Sequence, residues 1–243
     1  MKNIVLFVVF ILCIVLVQFS QAQTADEVIN KYMDARGGKD KIKAIQSVYM
    51  EGSRQMMGNE IPVKVTIVNG KLFRTDFELS GQNYYSIITP TGGWSLTPRS
   101  PSVETIPADR LKTMQGQLDI AGALVDYASK GNKVELVGKS TLNGVDVNNI
   151  KLTQADGKTI SYAFDAKTNL LVESKNTVSG MGQGGKVADR EVITDYSDYK
   201  VFDGILFPQT IANPGTGQGG GSTTFDKIEL NKPVDESMFK PGK

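Results

Sequence analysis

The chain has no histidine and a single cysteine, Cys13. Without histidine there is no Ser-His-Asp triad, no imidazole metal ligand and no imidazole pH switch. One thiol cannot assemble a zinc site. Excess charge of one sign is also missing, with 27 Lys+Arg against 26 Asp+Glu over 243 residues. That balance argues against a nucleic-acid partner, which calls for a basic surplus or stripe. At 40% hydrophobic and 22% charged residues the chain has the composition of a folded protein. Neither a cofactor nor a metal is expected.

The one long apolar run is at the start. Lys2 precedes the uninterrupted stretch Ile4–Val17, and Ser20 and Ala22 supply small residues just beyond it. This is the pattern of a secretory signal cleaved after Ala22. The run is shorter than the roughly 20 apolar residues of a spanning helix. Leu12, before Cys13, is not the small residue of a lipid-attachment signal. The expected organisation is therefore residues 1–22 as signal and 23–243 as one domain in the periplasm. The exported part contains neither Cys nor His. It gains nothing from disulfides in an oxidising compartment. Roughly 220 residues can instead bury about 70% of their unfolded surface in one core.

Thr24-Ala25-Asp26-Glu27 reads as a capping box, with Val28, Tyr32 and Ala35 at helical spacing and Gly37-Gly38 as the stop. A second short turn spans 39–44. Beyond Ile45 the period becomes two. Ile61, Val63, Val65 and Ile67 alternate with polar residues or Pro62, and Phe73, Phe77 and Leu79 alternate with Arg74, Asp76 and Glu78. Ile150 and Leu152, then Ile160, Tyr162 and Phe164, continue the pattern. Such strands have one apolar and one wet face. Asn69-Gly70, Asn143-Gly144, Asp156-Gly157 and Asp203-Gly204 supply hairpin turns. An antiparallel meander follows, not βαβ units. The stretch 107–131 interrupts it. Leu111, Met114, Leu118, Ala121, Val125 and Ala128 recur three and four apart, with Ile120, Leu124 and Tyr127 beside them. That spacing predicts one helix, or two short ones, pressed on the apolar face of the sheet and kinked near Gly116 or Gly122.

Two glycine-rich stretches, Gly180–Gly185 and Gly215–Gly220, match GxGxxG. A dinucleotide loop must leave a parallel strand and open a helix. Both stretches instead join strand-like runs, so loops at 179–188 and 213–222 are expected, together at one end of the sheet. Asp76 and Glu78 lie about 7 Å apart along one strand face, a spacing loosely compatible with a carboxylate hydrolase. Arg74 shares that face, and a row of charges on a solvated strand explains them equally. Asp195, Asp198 and Asp203 lack calcium-loop spacing.

The stretch Val28-Ile29…Tyr32…Ala35-Arg36-Gly37-Gly38-Lys39-Asp40-Lys41-Ile42…Ile45…Ser47-Val48 resembles the N-terminal signature of exported LolA-like outer-membrane lipoprotein-sorting proteins, in the version common in Bacteroidetes. Gly92-Gly93-Trp94, Leu124-Val125-Asp126-Tyr127, Asn143-Gly144 through Leu170, and Asp203-Gly204-Ile205…Phe207-Pro208 are similar to later family motifs in the same order. The resemblance implies a mainly β fold with some α: a strongly curved antiparallel sheet, an unclosed barrel, plugged by helices. It also implies a non-enzymatic carrier whose apolar cavity accepts lipoprotein acyl chains or other lipids, with an envelope protein as a further partner. A monomer is expected.

Strand parity nominates the cavity lining: Val63, Val65, Ile67, Phe73, Phe77, Tyr85, Ile87, Trp94, Ile150, Leu152, Ile160, Tyr162 and Phe164 on the sheet. Leu111, Met114, Leu118 and Leu124 would face them from the 107–131 segment. The same residues also suit a solid core. A non-catalytic interaction domain with a filled core, working beside an envelope complex or peptidase, is thus the alternative, and a hydrolase the third reading.

Overall fold

The computed structural model describes residues 23–56, 58–181, 187–214 and 221–241. The expected signal at 1–22 and the centres of both glycine-rich loops lie outside the described residues.

The chain opens as read from its sequence. Helix α1 spans Ala25–Ala35 behind a complete capping box. Glu27 N donates to Thr24 Oγ1 at 3.2 Å, and Thr24 N donates to Glu27 Oε2 at 3.3 Å. Each bond satisfies a donor that the helix start leaves open. Val28, Ile29, Tyr32 and Met33 form its buried stripe. The helix stops at Gly37, whose φ of +117° disfavours any side chain and whose Cα lies against Gly204; an added Cβ would sit 2.5 Å from Gly204 O. Helix α2, Lys39–Lys43, follows and buries Ile42.

Among the described residues thirteen strands form one antiparallel sheet. β1 (Ser47–Met56), β2 (Asn59–Val68), β3 (Leu72–Leu79), β4 (Gln82–Ile88), β5 (Gly93–Thr97) and β6 (Ser100–Thr105) step outward to one edge. β7 (Lys133–Leu142) begins at the other edge. β8 (Val145–Thr153), β9 (Thr159–Asp165), β10 (Leu171–Met181), β11 (Val187–Phe202), β12 (Ile205–Asn213) and β13 (Gly221–Leu230) then step back until β13 pairs with β1. Tight turns make the meander possible. At Asn143-Gly144 and Asp203-Gly204 both residues have positive φ, as the twist of a two-residue hairpin requires. The pairs Met181–Val187 and Asn213–Gly221 close hairpins at the same end of the sheet, so both glycine-rich loops join strands there.

β6 and β7 do not pair, so the sheet is unclosed. It is nonetheless strongly curved. One core cluster runs from Phe73 on β3 to Val134 and Leu136 on β7. These strands are nine steps apart, about 43 Å across a flat sheet at ~4.8 Å per strand. Helix α1, whose Val28, Ile29, Tyr32 and Met33 belong to the same cluster, is 11 residues, roughly 16 Å long. Strands that far apart share one cluster with so short a helix only if the sheet wraps around it.

The 107–131 segment differs from the helix its spacing predicts. Only Ala108–Met114 is α-helical (α3), followed by 3-10 turns at Gln115–Leu118 and Tyr127–Lys130. Asp119 is extended, Gly122 has φ +79° and Asp126 has φ +51°, so the backbone reverses where a helix would continue. The apolar spacing serves two sites instead of one helix face. Leu111, Met114 and Leu118 pack with Ile88, Ile106 and Phe73, whereas Leu124 and Val125 enter the main core.

Candidate functional site

The inner face of the sheet, under α1 and α2, holds most of the nominated lining. Val63, Val65, Leu124, Ile150, Leu152 and Phe164 are buried in the main core, and Ile67, Phe73 and Tyr162 pack against it. Ile160 pairs across β8 with Leu152 and shares its face. The interior is occupied by the protein's own side chains. Tyr32 and Phe164 meet with ring centroids 5.0 Å apart, and Phe164, Ile150 and Leu152 have no exposed surface.

Four nominated residues belong elsewhere. Phe73 pairs with Ile88 and Arg74 with Ile87, so Ile87 and Tyr85 stand on the face opposite Phe73. Trp94, paired with Ile87, joins them. Tyr85, Ile87 and Trp94 form an outer-face cluster with Leu72, covered by Val234, Met238 and Phe239 of the C-terminal segment. A parity assignment shifted by one residue moves the whole strand set to the other side, and that happened at β4. Phe77 stacks on Tyr84 at the sheet's far end and borders the outer cleft.

Residues missed by the sequence reading complete the inner core. Phe225 and Ile228 are both buried although three apart. Gly52 faces Phe225 and Glu51 faces Lys227, so Asp226 is the extra residue of a bulge that breaks the two-residue period. Tyr196 and Tyr199 also project into the protein. Ser174 Oγ lies 3.1 Å from Tyr196 Oη, and Tyr199 Oη donates to Leu171 O at 2.8 Å. Burial raises the pKa of Tyr162, Tyr196 and Tyr199, so these phenols remain neutral at ordinary pH. Arg36 lies between the rings of Tyr32 and Phe207, 5.6 and 5.3 Å from their centroids, and donates through Nε to Leu206 O at 3.1 Å.

The segment from Asp119 to Asp126 plugs this interior. It has no regular secondary structure, yet Leu124 and Val125 are 5% and 2% exposed. Polar contacts at the surface hold it. Asp126 meets Lys39 Nζ at 2.5 Å and Lys43 Nζ at 2.6 Å. Those hydrogen-bonded ammonium groups hold its carboxyl down at about 2. Tyr127 Oη donates to Asp26 at 2.6 Å, and Lys130 bridges Asp119 and Gly122 O. The fastening is thus exposed and polar, while what it holds in place is apolar.

A separate cleft of about 800 Å³ opens on the outer face between β1–β4 and the C-terminal turn Glu236–Phe239. Arg74 grips Asp76 with its Nε and Nη2 at 2.7–3.0 Å, donates to Met238 O at 3.2 Å and lies over the Tyr85 ring. Tyr49 donates to Glu51, and burial together with that bond pushes its phenol up to about 12. The charged face of β3 is therefore partly covered, with the Arg74 side chain only 16% exposed, where the sequence suggested an open wet surface.

This arrangement also bears on catalysis. Both oxygens of Asp76 accept from Arg74, which occupies the carboxylate. Burial and the facing Glu173 raise the Asp195 carboxyl, but Lys175 pairs with Glu173 at 3.0 Å. Among the described residues no group of three or more Asp, Glu or Cys is placed to hold a metal ion.

No protein-family model and no curated protein matches the sequence. Solved structures do match. A LolA superfamily protein from Nitrosomonas europaea superposes with a TM-score of 0.55 at 12% identity, covering 90% of this chain and 99% of its own. A candidate outer-membrane lipoprotein-sorting domain from Vibrio parahaemolyticus does so with 0.52 at 12% identity, covering 88% and 94%. The chain has the LolA-like fold: an unclosed, curved antiparallel sheet around a few helices.

Proposed function

We propose that the protein is an exported periplasmic carrier, a single domain after removal of residues 1–22, that shelters lipoprotein acyl chains or other lipids between the curved sheet and its helices. The plug is the observation that carries this reading. Ile120, Ala121, Ala123, Leu124 and Val125 all pack in or against the main core from an irregular segment. Together they hold about a dozen side-chain carbons, comparable to one medium-length acyl chain, or ~10 kcal/mol of burial at about 0.8 kcal/mol per methylene. If the segment swings out, an entering chain replaces what it withdrew. The exchange is then close to neutral, as suits a carrier whose cargo must also leave. The fold likeness supports the same reading, and so do the apolar residues of the inner face. No catalytic role is proposed for any residue.

A second reading rests on a specific observation. The inner core is filled, as a non-catalytic interaction domain working beside an envelope complex would have it. Native mass spectrometry of protein taken from the periplasm separates the two. Bound lipid or lipopeptide, displaced by a competing fatty acid, is expected of the carrier. Protein that is lipid-free and takes up no fatty acid would leave only the interaction domain.

A further inference from the structure

The plug ends in an anion. Asp126 follows directly on Leu124 and Val125, which enter the main core, and its own carboxylate stays at the surface. Oδ1 meets Lys39 Nζ at 2.5 Å and Oδ2 meets Lys43 Nζ at 2.6 Å, so each oxygen has its own ammonium. Charge-assisted pairs of this kind are a two-point grip on a carboxylate. An apolar stretch in the core with an anionic head between two cations has the same division of polarity as one acyl chain with a charged head group.

The grip is within reach of a ligand. The Lys39 and Lys43 side chains are 46% and 49% exposed. A cavity of about 330 Å³ opens beside them, with Lys39, Asp126 and Tyr127 in its wall. Its present occupant is held under strain, because Asp126 has φ +51°. The other charges nearby are engaged or remote. Asp26 accepts from Tyr127 Oη, Lys130 is bonded to Asp119 and Gly122 O, and Asp40 attracts Lys43 only from a distance. When the plug swings out, Asp126 leaves with it and two ammoniums stand side by side. They repel each other until another anion arrives.

We propose that the cargo is a single-chain anionic amphiphile, whose carboxylate or phosphate replaces the Asp126 carboxylate between Lys39 and Lys43 while its acyl chain replaces Leu124 and Val125. The inference rests on the carrier reading and narrows its cargo. The plug is then an internal copy of that cargo, and the two compete for one pair of lysines. An acyl group with an uncharged head forgoes this contact.

The test compares cis-parinarate with its methyl ester, which has the same chain and a neutral head, by fluorescence titration of the exported chain. The acid-to-ester affinity ratio should fall about fivefold in Lys39→Met/Lys43→Met, as two exposed ion pairs are each worth about two- to threefold. Each single substitution should give about half of that drop on a logarithmic scale. Loss of the latch frees the plug for both compounds alike, so the ratio is unaffected by it. Displacement of the bound acid by dodecanoate or by dodecyl phosphate supports the proposal, and the stronger of the two names the head group. A ratio that is the same in parent and variants overturns the proposal and leaves the carrier reading standing. Uptake of neither compound overturns both. Displacement by inorganic phosphate, a head without a chain, would make the lysines a free-anion site and also overturn it.

Discussion

Leu124→Ala should make the protein less stable and a better acyl binder. Leu124 is 5% exposed in the main core, on the plug and not on the sheet. Truncation removes three carbons, worth ~2.4 kcal/mol in transfer at about 0.8 kcal/mol each, and the residual cavity raises the total to about 3 kcal/mol. That loss falls on the plugged state alone if the plug is out when cargo is bound. The plug-out population then rises, by up to about 100-fold for 3 kcal/mol, and apparent affinity rises with it. Titration with the fluorescent fatty acid cis-parinarate, beside a urea melt, reads both quantities. The control is Leu152→Ala on the sheet floor, fully buried and of the same size. It should lose similar stability without any gain in affinity, since Leu152 on the sheet floor stays covered whether the plug is in or an acyl chain has replaced it. Two variants with equal stability loss and unchanged or equally reduced affinity would refute the plug exchange.

Asp126→Asn removes both ion pairs at the plug while keeping a residue that tolerates positive φ; hydrogen exchange across 119–127 should quicken with little change in the global melting temperature. The same latch predicts a pH effect of known sign. The folded pKa of Asp126 is depressed to about 2, so its stabilisation is present above the unfolded value near 3.8 and disappears as pH falls from about 4 to 2. Protection factors at 119–127, taken relative to the intrinsic exchange rate at each pH, should fall in that window in the parent and not in Asp126→Asn. Gly52→Ala should cost more than about 3 kcal/mol by thermal melting, because its Cβ would lie 1.9 Å from Thr224 O and 2.7 Å from Phe225 Cα, both backbone atoms of the paired strand. Thr24→Ala should cost about 1 kcal/mol, a drop of roughly 2–4 °C in Tm, through loss of the capping box alone.

The two faces of the sheet divide the chemistry. The inner face gathers apolar side chains from ten strands around α1, with neutral tyrosines among them. The outer face carries alternating acids and bases across β13, β1, β2 and β3, roofed by the chain's last turn.

Elements defined by neighbouring residues were readable from the chain alone. Thr24 and Glu27 are three apart, Gly37-Gly38 ends a helical stripe, and Ile61, Val63 and Val65 alternate over a few residues; each pattern reports forces acting within one turn or one strand. The same holds for the hairpins at Asn143-Gly144 and Asp203-Gly204, where a local backbone requirement selects the residues. Features that depend on how strands face one another were not readable. Alternation in β4 shows two faces but not which one joins Phe73, so Tyr85 and Ile87 needed the observed pairing of Phe73 with Ile88. The bulge at Asp226 hid Phe225 and Ile228, and the reversals at Gly122 and Asp126 turned an apparent helix into a plug. Arg74 and Asp76 looked solvent-bound because the segment that covers them lies some 160 residues further along. Local spacing encodes local geometry, whereas the closure of a curved sheet and the roofing of its outer face come from contacts between distant segments, whose energies depend on all the partners at once.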